Sequence, residues 1–174
     1  CYYLSVLASM SDTDPNLIRQ TVTELGDGTY AVRFYQGAAE VYLRLDADMP
    51  SAYAKLTPDG ETWVMLMEKA FAFYRYGQNS YASLEGGWMN AVVAKLTGAS
   101  AETLWTGVSA AELADTITAN LAAGHSMTLG SYSASPSPIV ANHAYMVKSI
   151  EGAGADAVVT VYNPWGYDGR TYDS

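Results

Sequence analysis

Three residues far apart in the chain carry side chains that together can do nucleophilic chemistry. They are Cys1, the only cysteine, His143 within Asn142-His-Ala-Tyr145, and Asn163 opening Asn-Pro-Trp-Gly166. A thiolate is a potent nucleophile, an imidazole can take its proton and return it, and an amide oxygen can hold the imidazole in one orientation. In this order the three read as the parts of a cysteine hydrolase.

Each residue has a plainer role to set against that one. An unpaired cysteine usually serves as a small apolar filler, but Cys1 opens a helix-like run through Met10 with Leu4, Leu7 and Ala8 at helical spacing. Unpaired N–H groups and the positive dipole end at a helix start favour the thiolate. Of the two histidines, His125 follows Gly124, a helix-stop signal, where it is expected to meet the last helical carbonyls or lie exposed. His143 begins the alternating stretch His143-Ala-Tyr-Met-Val-Lys-Ser-Ile150, a strand pattern whose first side chain can face a cleft, so it is the better base. Asn163 before Pro164 is a common turn pair. It also ends a strand-like run, Ala157–Tyr162, that can lie antiparallel to the His143 strand across the turn-rich Glu151–Asp156, which brings Asn163 beside His143.

The elements that must position these groups are legible in outline. Thr29–Gln36 and Glu40–Leu45 alternate around Gly37 and read as a hairpin or adjacent strands. From Glu61, the spacing of Trp63, Leu66, Met67, Ala70, Phe73 and Tyr74 predicts a core-facing helix. Ser109 with Glu112 three residues on is a capping box that starts another helix through Leu113, Ile117 and Leu121 to Gly124. Ser126–Ser131, His143–Ile150 and Ala157–Tyr162 then supply strands, with a Ser/Pro loop at Ser133–Pro138. No repeat, zinc-ligand spacing or phosphate-binding glycine motif occurs.

Composition narrows the partners. The 174 residues suit one catalytic unit with a substantial core. A net charge of −9 opposes binding to a phosphate backbone, so nucleic acid is not an expected partner. No apolar run approaches the roughly twenty residues of a membrane span, and no signal-peptide pattern opens the chain. A soluble protein is expected, with the compartment, secreted bacterial or cytoplasmic, undetermined by a single cysteine.

Segments along nearly the whole chain resemble the calpain-like (C2) cysteine peptidases, and imply a bacterial-type member. Cys1–Met10 is similar to the family's nucleophile helix, Tyr30–Gly37 to the strand that follows, Trp63–Ala72 to the long core helix and Ser80–Gly87 to the glycine loop. Leu96-Thr-Gly98, Gly124–Ser131, His143-Ala-Tyr145 and Asn163-Pro-Trp-Gly166 follow in the family's order. The resemblance implies an α+β, papain-like fold of two lobes: a mainly helical nucleophile lobe, 1–108, and a mainly antiparallel lobe, 109–174, bearing the His/Asn pair. It implies an endopeptidase acting on protein or peptide through a Cys1–His143–Asn163 triad and a thioester. Gly87 is then placed along the substrate groove, and Trp165 shields the Asn–His pair from water. Asn142 stands where the family has glycine, a change expected to narrow or re-aim that groove.

Two departures qualify what the resemblance implies. The family's oxyanion glutamine lies a few residues before the nucleophile, and the sequence opens at the cysteine itself. This leads to the expectation of a processed or truncated form, with the chain's own propeptide or another fragment of the same polypeptide as a partner. An N-terminal Cys1 also exposes an α-amine of pKa about 8 that can act as a base, a route that leaves His143 and Asn163 without a role. Second, Glu61 matches one family calcium ligand, but Gly166–Arg170 is poor in carboxylates. One carboxylate cannot build a site of six to eight oxygens, so no cofactor is expected, calcium entering only if segments outside this chain complete a site with Glu61. Two alternatives stay open: a catalytically silent calpain-like module that binds peptides or partners, and a cysteine-dependent acyltransferase of the transglutaminase type, against which Asn163 speaks because that type pairs histidine with aspartate.

Overall fold

A computed structural model describes residues 1–48, 62–78, 80–104 and 107–166. In chain order the elements are α1 (Tyr2–Thr13), α2 (Pro15–Arg19), β1 (Val22–Glu24), β2 (Thr29–Gln36), β3 (Ala39–Asp46), α3 (Thr62–Tyr76), α4 (Met89–Thr97), α5 (Ala110–Ala122), β4 (Thr128–Gly130), β5 (Ala144–Glu151) and β6 (Val158–Tyr162). The strands form two antiparallel sheets, ordered β1-β2-β3 and β4-β5-β6, and the architecture is α+β.

Helix α1 is the axis of the molecule. Every residue from Tyr2 to Met10 is buried, because α2, α4, β4 and β5 surround it. A helix apolar on one face only would leave a polar stripe to solvent, so this all-round burial marks a central element. Its register is set by aromatic packing: Tyr3 stacks on Phe71 of α3 with centroids 4.1 Å apart and donates its hydroxyl to the Met67 carbonyl at 2.9 Å. Towards the second sheet, Ser9 Oγ donates to the Met127 carbonyl at 2.9 Å, and that same oxygen accepts from Val147 N–H of β5 at 3.0 Å. The helix starts one residue later than the pattern suggests, since Cys1 is its N-cap and makes no side-chain cap bond.

The expected hairpin pairs from Thr29↔Asp46 to Gln36↔Ala39, and its two-residue turn has Gly37 at φ 64°, a conformation that costs glycine little. On α3 the buried face differs from the expected one. Val64, Leu66, Met67, Ala70, Phe71 and Ala72 are buried, while Phe73 is 41% exposed. Phe71, not Phe73, meets Tyr3 and Phe34, and two residues at about 100° each put Phe73 on the far side. The capping box forms in full at Ser109 and Glu112. Elements α2, β1 and α4 are additional to those read from the pattern. The short α2 is explained by Asp14, whose carboxylate accepts from Asn16 N–H, and by Pro15 at the first helical position.

In the second sheet β5 is central. It pairs with β6 from Glu151↔Val158 to Met146↔Tyr162, with a bulge between Val147 and Ser149. The one-residue excess in β5 bends the strand locally but leaves the start of β5 and the end of β6 at the same edge of the sheet.

Candidate active site

That shared edge explains how residues 143 and 163 meet. His143 immediately precedes β5 and Asn163 immediately follows β6, so the antiparallel pairing carries both side chains to one end of the sheet. His143 Nε2 lies 2.8 Å from Asn163 Oδ1, and both residues are buried, at 4% and 8% exposure. The same Oδ1 accepts the backbone N–H of Trp165 at 3.1 Å, which identifies it as the carbonyl side of the amide. A carbonyl oxygen only accepts, so Nε2 carries a proton and Nδ1 is left with the lone pair. Two aromatic rings pack on the imidazole: Trp165 tilted at 4.1 Å between centroids and Tyr145 edge-on at 4.9 Å. Trp165 is 40% exposed and forms part of the wall between this pair and solvent.

The backbone of His143 is fixed by Ser131, just beyond β4. Ser131 N–H donates to the His143 carbonyl at 2.8 Å, and Ser131 Oγ accepts from His143 N–H at 2.9 Å while donating to the Val140 carbonyl at 2.6 Å. Asn142 is the one non-glycine residue with positive φ among the described residues, at 50°. This left-handed conformation is open to glycine and tolerated by asparagine. Asn142 thus meets a backbone demand that glycine would also meet, independent of any groove contact.

Cys1 stands exposed at the N-terminus of α1, the helix that packs against β5. The imidazole is within electrostatic range of its α-amine. Burial pushes the His143 pKa below its ordinary value, the hydrogen bond that the ring donates to Asn163 opposes that, and the positive amine lowers it further. Burial likewise lowers the α-amine, with Glu68 opposing. Gly87 lies against the first turn of the same helix: a Cβ there would come within 2.5 Å of the Tyr2 ring. The chain then enters α4, whose Met89 faces Gly130 of β4, where a Cβ would lie 3.5 Å from Met89 Cε. Gly87 and Asn142 are both solvent-exposed. His125 bonds the side chain of Asn120 through Nδ1 at 2.9 Å, not the last helical carbonyls through its ring.

A family model described as "Calpain family cysteine protease" matches residues 1–172. The chain belongs to the calpain family of cysteine proteases. It is 28% identical over 187 aligned residues to the "Calpain-type cysteine protease DEK1" of maize and 29% identical to the protein of that name in Arabidopsis thaliana. A rice relative, "Calpain-type cysteine protease ADL1", is 28% identical. In each case the alignment covers 95% of this chain and 8% of the relative, so the chain spans about 8% of the length of these curated relatives.

Among the described residues no three carboxylate, imidazole or thiol groups gather to hold a metal ion. Glu61, the residue matched to a family calcium ligand, lies outside the described residues, as does all but the first residue of Gly166–Arg170. No helix among the described residues is long and apolar enough to cross a membrane. Ser131 carries no sequence signal beyond its place at the end of a strand run; a small hydroxyl residue has no signature until its partner twelve positions on is brought opposite it.

Proposed function

We propose that this chain is a calpain-like cysteine endopeptidase whose catalytic residues are Cys1, His143 and Asn163, with 1–108 and 109–174 as the two lobes of one catalytic unit. The observation that carries the reading is the His143 Nε2–Asn163 Oδ1 bond at the sheet edge beside the helix that begins at Cys1. With Nε2 committed to Asn163, Nδ1 is the nitrogen free to take the thiol proton. The helix dipole and orphan N–H groups at the start of α1 stabilise the thiolate.

The reaction follows from these roles. His143 takes the Cys1 proton, and the thiolate adds to the substrate carbonyl carbon. The imidazolium gives its proton to the leaving amine as the C–N bond breaks and a thioester remains. A water, deprotonated by His143, then adds to the thioester, and the thiol leaves with its proton as the acid product is released. Gly87 and Asn142, both exposed, and Trp165 beside the base are the residues assigned to contact an extended peptide. The reading calls for no cofactor, so cleavage is expected to persist in excess EGTA.

The test is the pH dependence of iodoacetamide labelling, alongside peptide cleavage by the wild-type, Cys1→Ala and His143→Ala proteins. A thiolate–imidazole pair predicts labelling with an apparent pKa below the free-thiol value of about 8.5, lost in His143→Ala. It also predicts a drop in cleavage of about 1000-fold or more in either variant. A profile near the free-thiol value that His143→Ala does not move would overturn it. An intact pair without cleavage of any peptide would instead favour a peptide-binding module.

A further inference from the structure

We infer that Arg75, near the C-terminal end of α3, is a positioning residue that clamps the glycine loop onto the nucleophile helix. This inference rests on the peptidase reading above. The guanidinium Nη1 shares its two N–H groups among Tyr2 Oη at 2.6 Å, the Gly86 carbonyl at 2.8 Å and the Ser83 carbonyl. Its carbon also lies 5.6 Å from the Tyr2 ring centroid, a cation–π contact. A single planar cation therefore ties three chain segments together: α3, the loop carrying Gly87, and the residue next to Cys1.

Two further contacts show why the loop depends on that cation. Ser83 Oγ donates to the Ala72 carbonyl at 2.8 Å and pins the loop's helical turn, Tyr81–Leu84, to α3. Beyond Ser83, the Gly86 carbonyl is tied to Arg75, and Gly87 has the Tyr2 ring as its backstop. Tyr2 is itself 4% exposed within the core, so the ring is a fixed surface. Burial holds the Tyr2 pKa above its ordinary value, and the neutral hydroxyl accepts from Arg75. The position of Gly87 relative to Cys1 is thus set by a cation rooted in a third element. Removing it frees the substrate-binding wall without moving the thiol, because α1 keeps its own packing on α3 and β5.

The chemistry separates this role from ordinary stabilisation. Methionine at position 75 keeps most of the side-chain length and loses charge and donors; lysine keeps charge and donors but lacks the planar head that lies over the Tyr2 ring. In Arg75→Met, hydrogen exchange over residues 80–88 is expected to rise while α1 and α4 stay protected. KM for an extended peptide amide should rise about 10-fold with kcat within about 3-fold, while iodoacetamide labelling of Cys1 and KM for a single-residue amide stay unchanged. Arg75→Lys should fall between, and it carries the same readouts if Arg75→Met melts too low to assay. Unchanged exchange over 80–88 overturns the clamp whether or not the protein cleaves peptides. Raised exchange with unchanged KM overturns the positioning role. A wild type that cleaves neither substrate defeats the peptidase reading, and the exchange measurement then decides the clamp alone.

Discussion

The two sides of the site hold their chemical groups by different physics. On the nucleophile side, Cys1 is exposed and makes no cap bond, and its place is set by the nine buried residues behind it, Tyr2 to Met10. Fully burying a large apolar side chain is worth about 1.5–3 kcal/mol, so a helix that buries Leu4, Val6, Leu7 and Met10 is hard to shift along its axis. On the His143 side, the imidazole is buried and held by directional contacts: Asn163 at Nε2, Ser131 at the backbone, and the Trp165 and Tyr145 rings beside it. Packing fixes where a helix end is, but not how a side chain on it rotates. Hydrogen bonds fix the orientation of a ring, which a general base needs and an attacking sulfur needs less.

That contrast can be broken most sharply at Asn163. Replacing it with alanine leaves His143 in place but removes the bond that selects its orientation and tautomer, and kcat should fall on the order of 100-fold, with KM little changed. The sign of the accompanying titration is also determined. The Asn163 bond favours the charged ring against the effect of burial, so its loss should move the His143 pKa further below the ordinary value. An NMR titration of the ring protons that finds the pKa unmoved or raised would mean that Asn163 does not act on the imidazole in this way.

The packing side is tested by the bond that joins α1 to the second sheet. In Ser9→Ala, the Met127 carbonyl keeps the Val147 N–H as a partner, and the helix loses its buried tie to the β5 neighbourhood while the exposed Asp12–Lys148 ion pair remains. A loss of about 1–2 kcal/mol in urea unfolding is expected, with the labelling profile of Cys1 retained because packing still places the helix. A large change in that profile at unchanged stability would show that the helix position depends on this bond more than on burial.

The smallest effect is expected at Asn142. With φ at 50°, glycine should be neutral or slightly stabilising, whereas valine should cost about 1–2 kcal/mol. Measuring both by thermal unfolding and by KM separates the backbone requirement from a groove contact. If Asn142→Gly changes KM several-fold at equal stability, the side chain touches substrate and the glycine-for-asparagine exchange concerns the groove.

Much of this arrangement was legible from the chain. The spacing Leu4, Leu7, Ala8 implies a helix behind Cys1, the Ser109–Glu112 box starts α5, and the two alternating runs flanking Glu151–Asp156 pair as an antiparallel hairpin. These are short-range patterns whose period or cap chemistry is written in adjacent residues. The hairpin alone implies that positions 143 and 163 share a sheet end, because antiparallel strands return the chain to where it started. What the tertiary structure decided is everything that depends on a partner far along the chain. Phe71 is core and Phe73 is exposed because Tyr3 and Phe34 occupy one side of α3, which the apolar spacing of that helix cannot reveal. Ser131 grips His143, and Arg75 joins Tyr2 to Gly86 across 73 and 11 residues, through bonds whose donors look like ordinary polar side chains until the fold closes on them. Local periodicity is a property of neighbours in sequence, and it sets the elements. Orientation of the reactive groups is a property of neighbours in space, and only the packed molecule has those.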